Sequence, residues 1–162
     1  MNDYINILDI IRGTTVDGPG FRTSIYFAGC RHDCPGCHNP ESWDFNAGTP
    51  YSIRQLMDIV EEEDFDVTLS GGDPLYHPEF TAKFIRCLKE NGRNVWVFTG
   101  FRWEEILLFP RLLKAVEGAE VVVDSPFVEA LRDTDLLFRG SSNQRLIDVA
   151  RSINGKIHLW EE

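Results

Sequence analysis

The feature that constrains this chain most is the alternation of short apolar segments with longer segments of helical period. Four short segments are rich in apolar, β-branched or aromatic residues, at 22–30, 66–74, 94–100 and 119–127. Between them, segments with apolar residues three and four positions apart lie at 51–63, 77–92 and 103–118. Strands that alternate with helices over short connections are typical of βαβ units, which build parallel sheets. The sequence therefore predicts an α/β fold with a mainly parallel sheet.

Local signals mark the ends of several predicted elements. Ser52 begins a Ser-x-x-Gln capping box before the first helix. Pro78 can open the second helix, and Gly92 can end it. Pro110 is expected to break the third helix. The tail at 141–160 is predicted to form a loop, a short helix and a last strand.

Length and charge narrow the function classes. The chain has 162 residues, so one domain over 1–162 is expected. Its formal net charge of −10 repels phosphate backbones and anionic lipid, which argues against nucleic acid or a membrane as the main partner. It has no apolar run near the roughly 20 residues of a membrane span, and its N-terminus lacks signal-peptide features. We therefore expect a cytoplasmic protein.

Three of the four cysteines lie close together. Cys30, Cys34 and Cys37 form a C-x3-C-x2-C run, whereas Cys87 lies far downstream. Clustered thiols in a reducing cytosol more often bind metal or do redox chemistry than form disulfides. Iron–sulfur cubes are normally held by four thiolates, so three would leave one iron open to a substrate. The alternative is a structural Cys3His zinc site that His32 or His38 completes.

The predicted topology brings distant stretches together. In parallel α/β folds, sites lie at the carboxyl ends of the strands. That rule gathers the cysteine loop with "SGGDP" (70–74), "TG" (99–100) and "DSP" (124–126). We expect all four to face the same side of the sheet.

The cysteine run and its surroundings resemble the radical S-adenosylmethionine (SAM) enzymes, and among them the glycyl-radical activating enzymes. The resemblance rests on "VDGPGFRTSIYFAGCRHDCPGCHNPESWD" (16–44) and continues in "LSGGDPLYHPEF", "VWVFTGF", "VVVDSPFV" and "LFRGSSNQRLIDV". It thus spans most of the chain in the family's order. It implies a shortened, open radical-SAM (βα) partial barrel.

The resemblance also implies a set of site residues. Cys30, Cys34 and Cys37 would hold a [4Fe–4S] cluster whose open iron chelates SAM. The implied SAM contacts are Gly36, Cys37, His38, Gly71, Gly72 and Asp73. Glycines at a strand end let backbone approach a ligand closely. Gly36 stands where many relatives carry an aromatic residue, so stacking would come from a neighbour such as Tyr26 or Phe98. The Asp-x-Lys of related activators is reduced to Asp124 without the lysine.

The implied activity is that of a radical SAM oxidoreductase. Reductive cleavage of SAM would give a 5′-deoxyadenosyl radical that takes a hydrogen from a glycine of a partner enzyme. The implied partner is a glycyl-radical enzyme, anaerobic ribonucleoside-triphosphate reductase, with a pyruvate formate-lyase type enzyme as the alternative. Flavodoxin or ferredoxin would donate the electron. An interpretation of a different class is a non-catalytic zinc or electron-transfer module.

Three further residue assignments are made from the sequence. Cys87 is interpreted as a buried, inert thiol on a helix. His77 is interpreted as a helix-entry residue. Asn143 and Gln144 either cap the short final helix or touch SAM.

Overall fold

The computed structural model of the chain describes residues 4–32 and 43–161. Its strands form one seven-stranded sheet in the order β3-β1-β2-β4-β5-β6-β7. They are β1 (Tyr4–Thr14), β2 (Arg22–Phe27), β3 (Thr49–Ser52), β4 (Asp66–Gly71), β5 (Val95–Phe98), β6 (Val121–Asp124) and β7 (Arg145–Asp148). Strands β2, β4, β5 and β6 run parallel to one another, whereas β1 and β3 on one side and β7 on the other add antiparallel pairs. The predicted α/β fold with a mainly parallel sheet is confirmed.

The predicted helices form where their end signals place them. They are α1 (Ile53–Glu63), α2 (Pro78–Glu90), α3 (Trp103–Leu108), α4 (Pro110–Val116) and α5 (Val149–Ser152). Ser52 and Gln55 form the capping box, because each side chain accepts the other residue's backbone N–H. Pro78 is the first residue of α2, and Pro110 is the first residue of α4, so the predicted break lies between α3 and α4. No α-helix in the described part has the length and apolar character that a membrane crossing needs.

Two elements at one edge of the sheet were not predicted. Strand β1 carries exposed and polar residues over its second half, so its sequence lacks the signal of a buried strand. Strand β3 has four residues and contains Pro50, which suits an edge strand. The predicted order of the tail is also wrong, since β7 precedes α5. After α5, Leu159 forms an isolated bridge with Ile147.

The two faces of the sheet differ in what covers them. Side chains that alternate along the strands, including Ile25, Leu69 and Val97, join those of α1 to α4 in the main core. On the opposite face, Trp96 packs edge to face against Phe138 and Trp160. This second cluster is smaller and leaves a cavity on the same face, beside the carboxyl ends of the parallel strands.

Candidate functional site

The candidate site is a cavity of about 380 Å³ at the carboxyl ends of the parallel strands. Each of the four stretches expected there contributes to its lining. They supply Cys30 after β2, Ser70, Gly71 and Gly72 at the end of β4, Thr99 and Gly100 after β5, and Ser125 after β6. The predicted convergence of these stretches is confirmed. A volume of this size is within the range of small-molecule sites, roughly 300–1,000 Å³.

The cysteine loop begins at the edge of this cavity. Cys30 follows β2, is half-buried and lines the cavity. Gly29 precedes it with a φ of 105°, and a Cβ there would overlap the ring of Phe45. The predicted site residues Cys34, Gly36, Cys37 and His38 lie outside the described residues. Cys30 is thus the predicted cluster ligand whose surroundings the structure describes.

The two glycines of "SGGDP" bring β4 close to the segment that carries Cys30. Gly71 has a φ of 112°, and a Cβ there would overlap the backbone of Phe27. The next two N–H groups continue this contact, Gly72 to the Phe27 carbonyl and Asp73 to the Gly29 carbonyl, each at 2.8 Å. Close backbone approach therefore requires glycine at position 71 even without a ligand.

Asp73 is a hub of hydrogen bonds beneath the cavity. Its side chain is fully buried. Oδ1 accepts the Leu75 N–H at 2.9 Å, and Oδ2 accepts from the Thr99 hydroxyl and the Gly100 N–H at 2.9 Å each. The same Oδ2 lies 2.5 Å from His32 Nε2. The carboxylate is thus committed to groups of the protein, and among the described residues Asp73 is not part of the cavity lining.

An acidic and aromatic wall borders the cavity on the β2 side. Asp17 Oδ2 accepts hydrogen bonds from the Ser24 hydroxyl at 2.8 Å and from the Tyr26 hydroxyl at 3.0 Å. Burial, reinforced by the Asp17 carboxylate, raises the pKa of Tyr26. Both aromatic residues named for stacking, Tyr26 and Phe98, line the cavity. Burial keeps the Tyr26 hydroxyl protonated, so it stays a donor to Asp17.

The turn that carries Asp17 is fixed by Arg22, to which sequence reasoning gave no role. The Arg22 guanidinium is fully buried and donates to the Pro19 carbonyl at 3.1 Å and the Thr68 hydroxyl at 2.8 Å. Thr68 in turn donates to the Asp17 carbonyl at 2.8 Å. Burial lowers the pKa of Arg22 to about 10. The signal that could have found these residues is the "DGPGFR" stretch itself, which was used only as a mark of resemblance.

The "SSNQ" stretch fastens the loop after β6. Asn143 donates to the Pro126 carbonyl at 2.8 Å, and Gln144 Nε2 donates to the Ser125 carbonyl at 3.1 Å. Gln144 also lines the cavity. Of the two alternatives for Asn143 and Gln144, the capping role is wrong, because the Asp148 side chain caps α5. A contact between Gln144 and SAM stays a prediction.

Asp124 holds the far edge of the sheet. It is fully buried, accepts the Trp103 N–H at 2.8 Å and lies 2.5 Å from Arg145 Nη2. Glu104 binds the same guanidinium at 2.7 Å, and these two acceptors raise the pKa of Arg145. Asp124 therefore joins β6 to the start of α3 and to β7.

Two other predicted roles concern α2. His77 immediately precedes Pro78 and donates Nε2–H to the Ala28 carbonyl at 2.8 Å, so it is a helix-entry residue as expected. Burial lowers the pKa of His77. Cys87 is a free cysteine that is half-buried rather than fully buried.

Comparisons with known proteins agree with this site. A family model described as a 4Fe-4S single cluster domain matches residues 16–147. Three curated relatives share the name anaerobic ribonucleoside-triphosphate reductase-activating protein. The one from Escherichia coli (strain K12) is 35% identical over 140 residues, 80% of this chain and 89% of the relative. The one from Haemophilus influenzae is 31% identical over 151 residues, which cover 86% of this chain and 96% of the relative. The one from Enterobacteria phage T4 is 30% identical over 139 residues, which cover 81% of this chain and 86% of the relative.

The match over residues 16–147 places the chain in the class of proteins with a 4Fe-4S single cluster domain. Within that class, the chain belongs to the family of anaerobic ribonucleoside-triphosphate reductase-activating proteins.

Proposed function

We propose that the chain activates an anaerobic ribonucleoside-triphosphate reductase by radical SAM chemistry. In this proposal Cys30, Cys34 and Cys37 hold a [4Fe–4S] cluster, and the enzyme cleaves SAM reductively to form a glycyl radical on its partner. When bound, the cluster supplies the electron for this cleavage and an iron with an open coordination position. The observation that carries the proposal is the position of Cys30, which starts the three-thiol loop on the edge of a ligand-sized cavity.

The described residues fit such a cluster and its substrate. Cys30 offers a half-buried thiol in the same cavity as Gly71 and Gly72, which have no side chains of their own to limit the approach of the SAM methionine end. Tyr26 and Phe98 offer aromatic surface to the adenine end. Contacts from Gly36, Cys37 and His38 are part of the proposal. Asp73 supports the site from below through its hydrogen bonds.

The fold supports the same assignment. Helices cover one face of the parallel strands, and the cavity lies on the other. We interpret this arrangement as a shortened, open radical-SAM partial barrel formed by one domain over 1–162. Apolar side chains of the segment after β6, Phe127, Leu136 and Phe138, line the cavity and would keep water from the reacting atoms.

The partner glycine must reach this cavity, so activation requires a complex of two proteins. The names of the curated relatives support a reductase as that partner. An electron donor such as flavodoxin or ferredoxin completes the proposed reaction in the cytoplasm. A pyruvate formate-lyase type partner is the alternative to be tested beside it.

One observation favours a second candidate, a structural zinc site. A carboxylate that accepts from a histidine is the usual orientation device of metal-binding histidines, and Asp73 holds His32 in this way. A Cys3His zinc site built from His32 and the three cysteines would use the same geometry.

Anaerobic reconstitution with iron and sulfide separates the two functions. Under a strong reductant, the proposed enzyme should bind a [4Fe–4S] cluster and convert SAM to 5′-deoxyadenosine. Cys30→Ser should abolish that product, whereas Cys87→Ser should not. Colourless protein with one zinc per chain and no 5′-deoxyadenosine would favour the zinc site. Glycyl-radical EPR with each candidate partner enzyme then identifies the target.

A further inference from the structure

His32 lies in a socket that is shaped for its ring. The side chain is 13% exposed, and its Nε2 lies 2.5 Å from Asp73 Oδ2. Its ring centroid lies 4.7 Å from that of Phe101, edge to face, and 5.2 Å from that of Tyr76. A Cβ at Gly100 would overlap the imidazole, so glycine at this position leaves room for the ring.

The acceptor in this socket is itself fixed. Asp73 Oδ2 accepts hydrogen bonds from Thr99 and Gly100, and a carboxylate can only accept, so His32 Nε2 is the donor. Thr99 and Gly100 belong to the loop after β5, and Asp73 follows β4. The hydrogen bond therefore ties His32 to the ends of two central strands.

His32 lies between Cys30 and Cys34, inside the three-thiol motif. We propose that His32 is a positioning residue whose hydrogen bond to Asp73 fixes the start of the three-thiol motif on the sheet before the cluster binds. The inference rests on the proposed iron–sulfur function. Fixing the chain between the first two ligands removes conformational freedom that cluster binding would otherwise have to remove. In this way the Asp73–His32 pair slows cluster loss without touching iron.

The test measures the rate at which a ferrous chelator removes iron from the reconstituted full chain. Loss of partners that orient metal ligands typically costs roughly 10–100-fold in metal affinity, so His32→Ala should lose iron about ten-fold faster than the wild type. His32→Gln, whose amide can donate to Asp73, should restore most of the wild-type rate. His158→Ala is the matched control, since His158 lies outside the cavity lining, and it should behave as the wild type.

Gly100→Ala tests the socket without changing the histidine. Its new Cβ displaces the His32 ring while the Gly100 N–H to Asp73 is kept, so it should accelerate iron loss as His32→Ala does. This variant decides the question if His32→Ala does not fold. In every variant the freshly loaded cluster should show the same EPR spectrum, because His32 is not proposed to bind iron.

Two results overturn the inference. One is iron loss at the wild-type rate in both His32→Ala and Gly100→Ala. The other is nitrogen hyperfine coupling from an imidazole in the wild-type cluster that disappears in His32→Gln, because His32 would then be a ligand. Failure of the wild type to bind a cluster or to cleave SAM would instead contradict the proposed function.

Discussion

Two fully buried aspartates, Asp73 and Asp124, lie at the carboxyl ends of strands β4 and β6. Asp73 collects donors from the loops around the cavity, including His32 of the cysteine motif. Asp124 collects the first N–H of α3 and the guanidinium of Arg145 in β7. The two carboxylates are equally buried but have different roles, because their hydrogen-bond donors come from different parts of the chain. Asp73 holds together the loops around the candidate site, and Asp124 joins β6 to α3 and β7.

The largest effect on stability is expected at Asp124. Asp124→Ala leaves Arg145 without its buried acceptor, so the free energy of unfolding should fall by about 3 kcal/mol. Urea unfolding of the cluster-free full chain measures this change. Glu104→Gln removes the negative charge of the exposed partner of the same guanidinium and should cost less than about 1 kcal/mol. Equal losses in the two variants would contradict the role given to Asp124.

Replacing each aspartate by asparagine, an amide of the same shape, distinguishes the roles of Asp73 and Asp124. Asp73→Asn turns an amide NH2 toward groups that donate, which should lower the free energy of unfolding by about 2 kcal/mol. It should also accelerate iron loss from the loaded protein. Asp124→Asn should leave the rate of iron loss unchanged, because its partners Trp103 and Arg145 are not among the described residues that line the cavity. The comparison fails if both variants change that rate equally.

A smaller effect is expected where the loop after β6 is fastened. Gln144→Ala removes hydrogen bonds to Ser125 and to the Gly140 and Ser141 N–H groups. Because these groups are partly accessible to water, we expect a loss of about 1 kcal/mol in the free energy of unfolding. Proteolysis between 126 and 140 should become faster. Asn154→Ala, at an exposed position, is the control and should change neither quantity.

The sequence predicts a structural feature well when the interactions that form it are between residues close together in the chain. The capping box at Ser52 and the break at Pro110 are local, and the strands β4 to β6 are marked by apolar runs, so these features were predicted correctly. Strand β3 lies at an edge with β1 beside it, and both are partly exposed, so their sequence pattern is weak. The cavity followed from topology, because parallel strands end on one side.

The hydrogen bonds within the site could not be read in the same way. His32 and Asp73 are 41 positions apart, and their meeting depends on the space left by Gly100. The burial of Arg22 likewise depends on chain segments that fold over it. Family resemblance marked Asp73 as a site residue, but only its surroundings show that the carboxylate is used up by protein donors.

The pH dependence of stability tests the entry to α2, which follows the Asp73 loop. Burial lowers the pKa of His77 in the folded protein, so below about pH 6.5 the unfolded chain takes up a proton first. The stability associated with the neutral ring is complete above that pH and is lost as pH falls through the folded pKa. His77→Gln should therefore lose less stability than the wild type on acidification, as measured by urea unfolding at a series of pH values. Parallel curves for the two proteins would contradict this.

The smallest effect is expected at Cys87 on α2. Its thiol is half-buried and lies outside the cavity lining, so Cys87→Ser should change the free energy of unfolding by about 0.5 kcal/mol or less. Iron content and the yield of 5′-deoxyadenosine should equal those of the wild type, whereas Cys30→Ser should lose both. Iron analysis and product measurement on the two reconstituted variants make this comparison directly. Loss of iron in Cys87→Ser would identify a fourth thiolate ligand and leave no open coordination position for SAM, since four thiolates complete a [4Fe–4S] cluster.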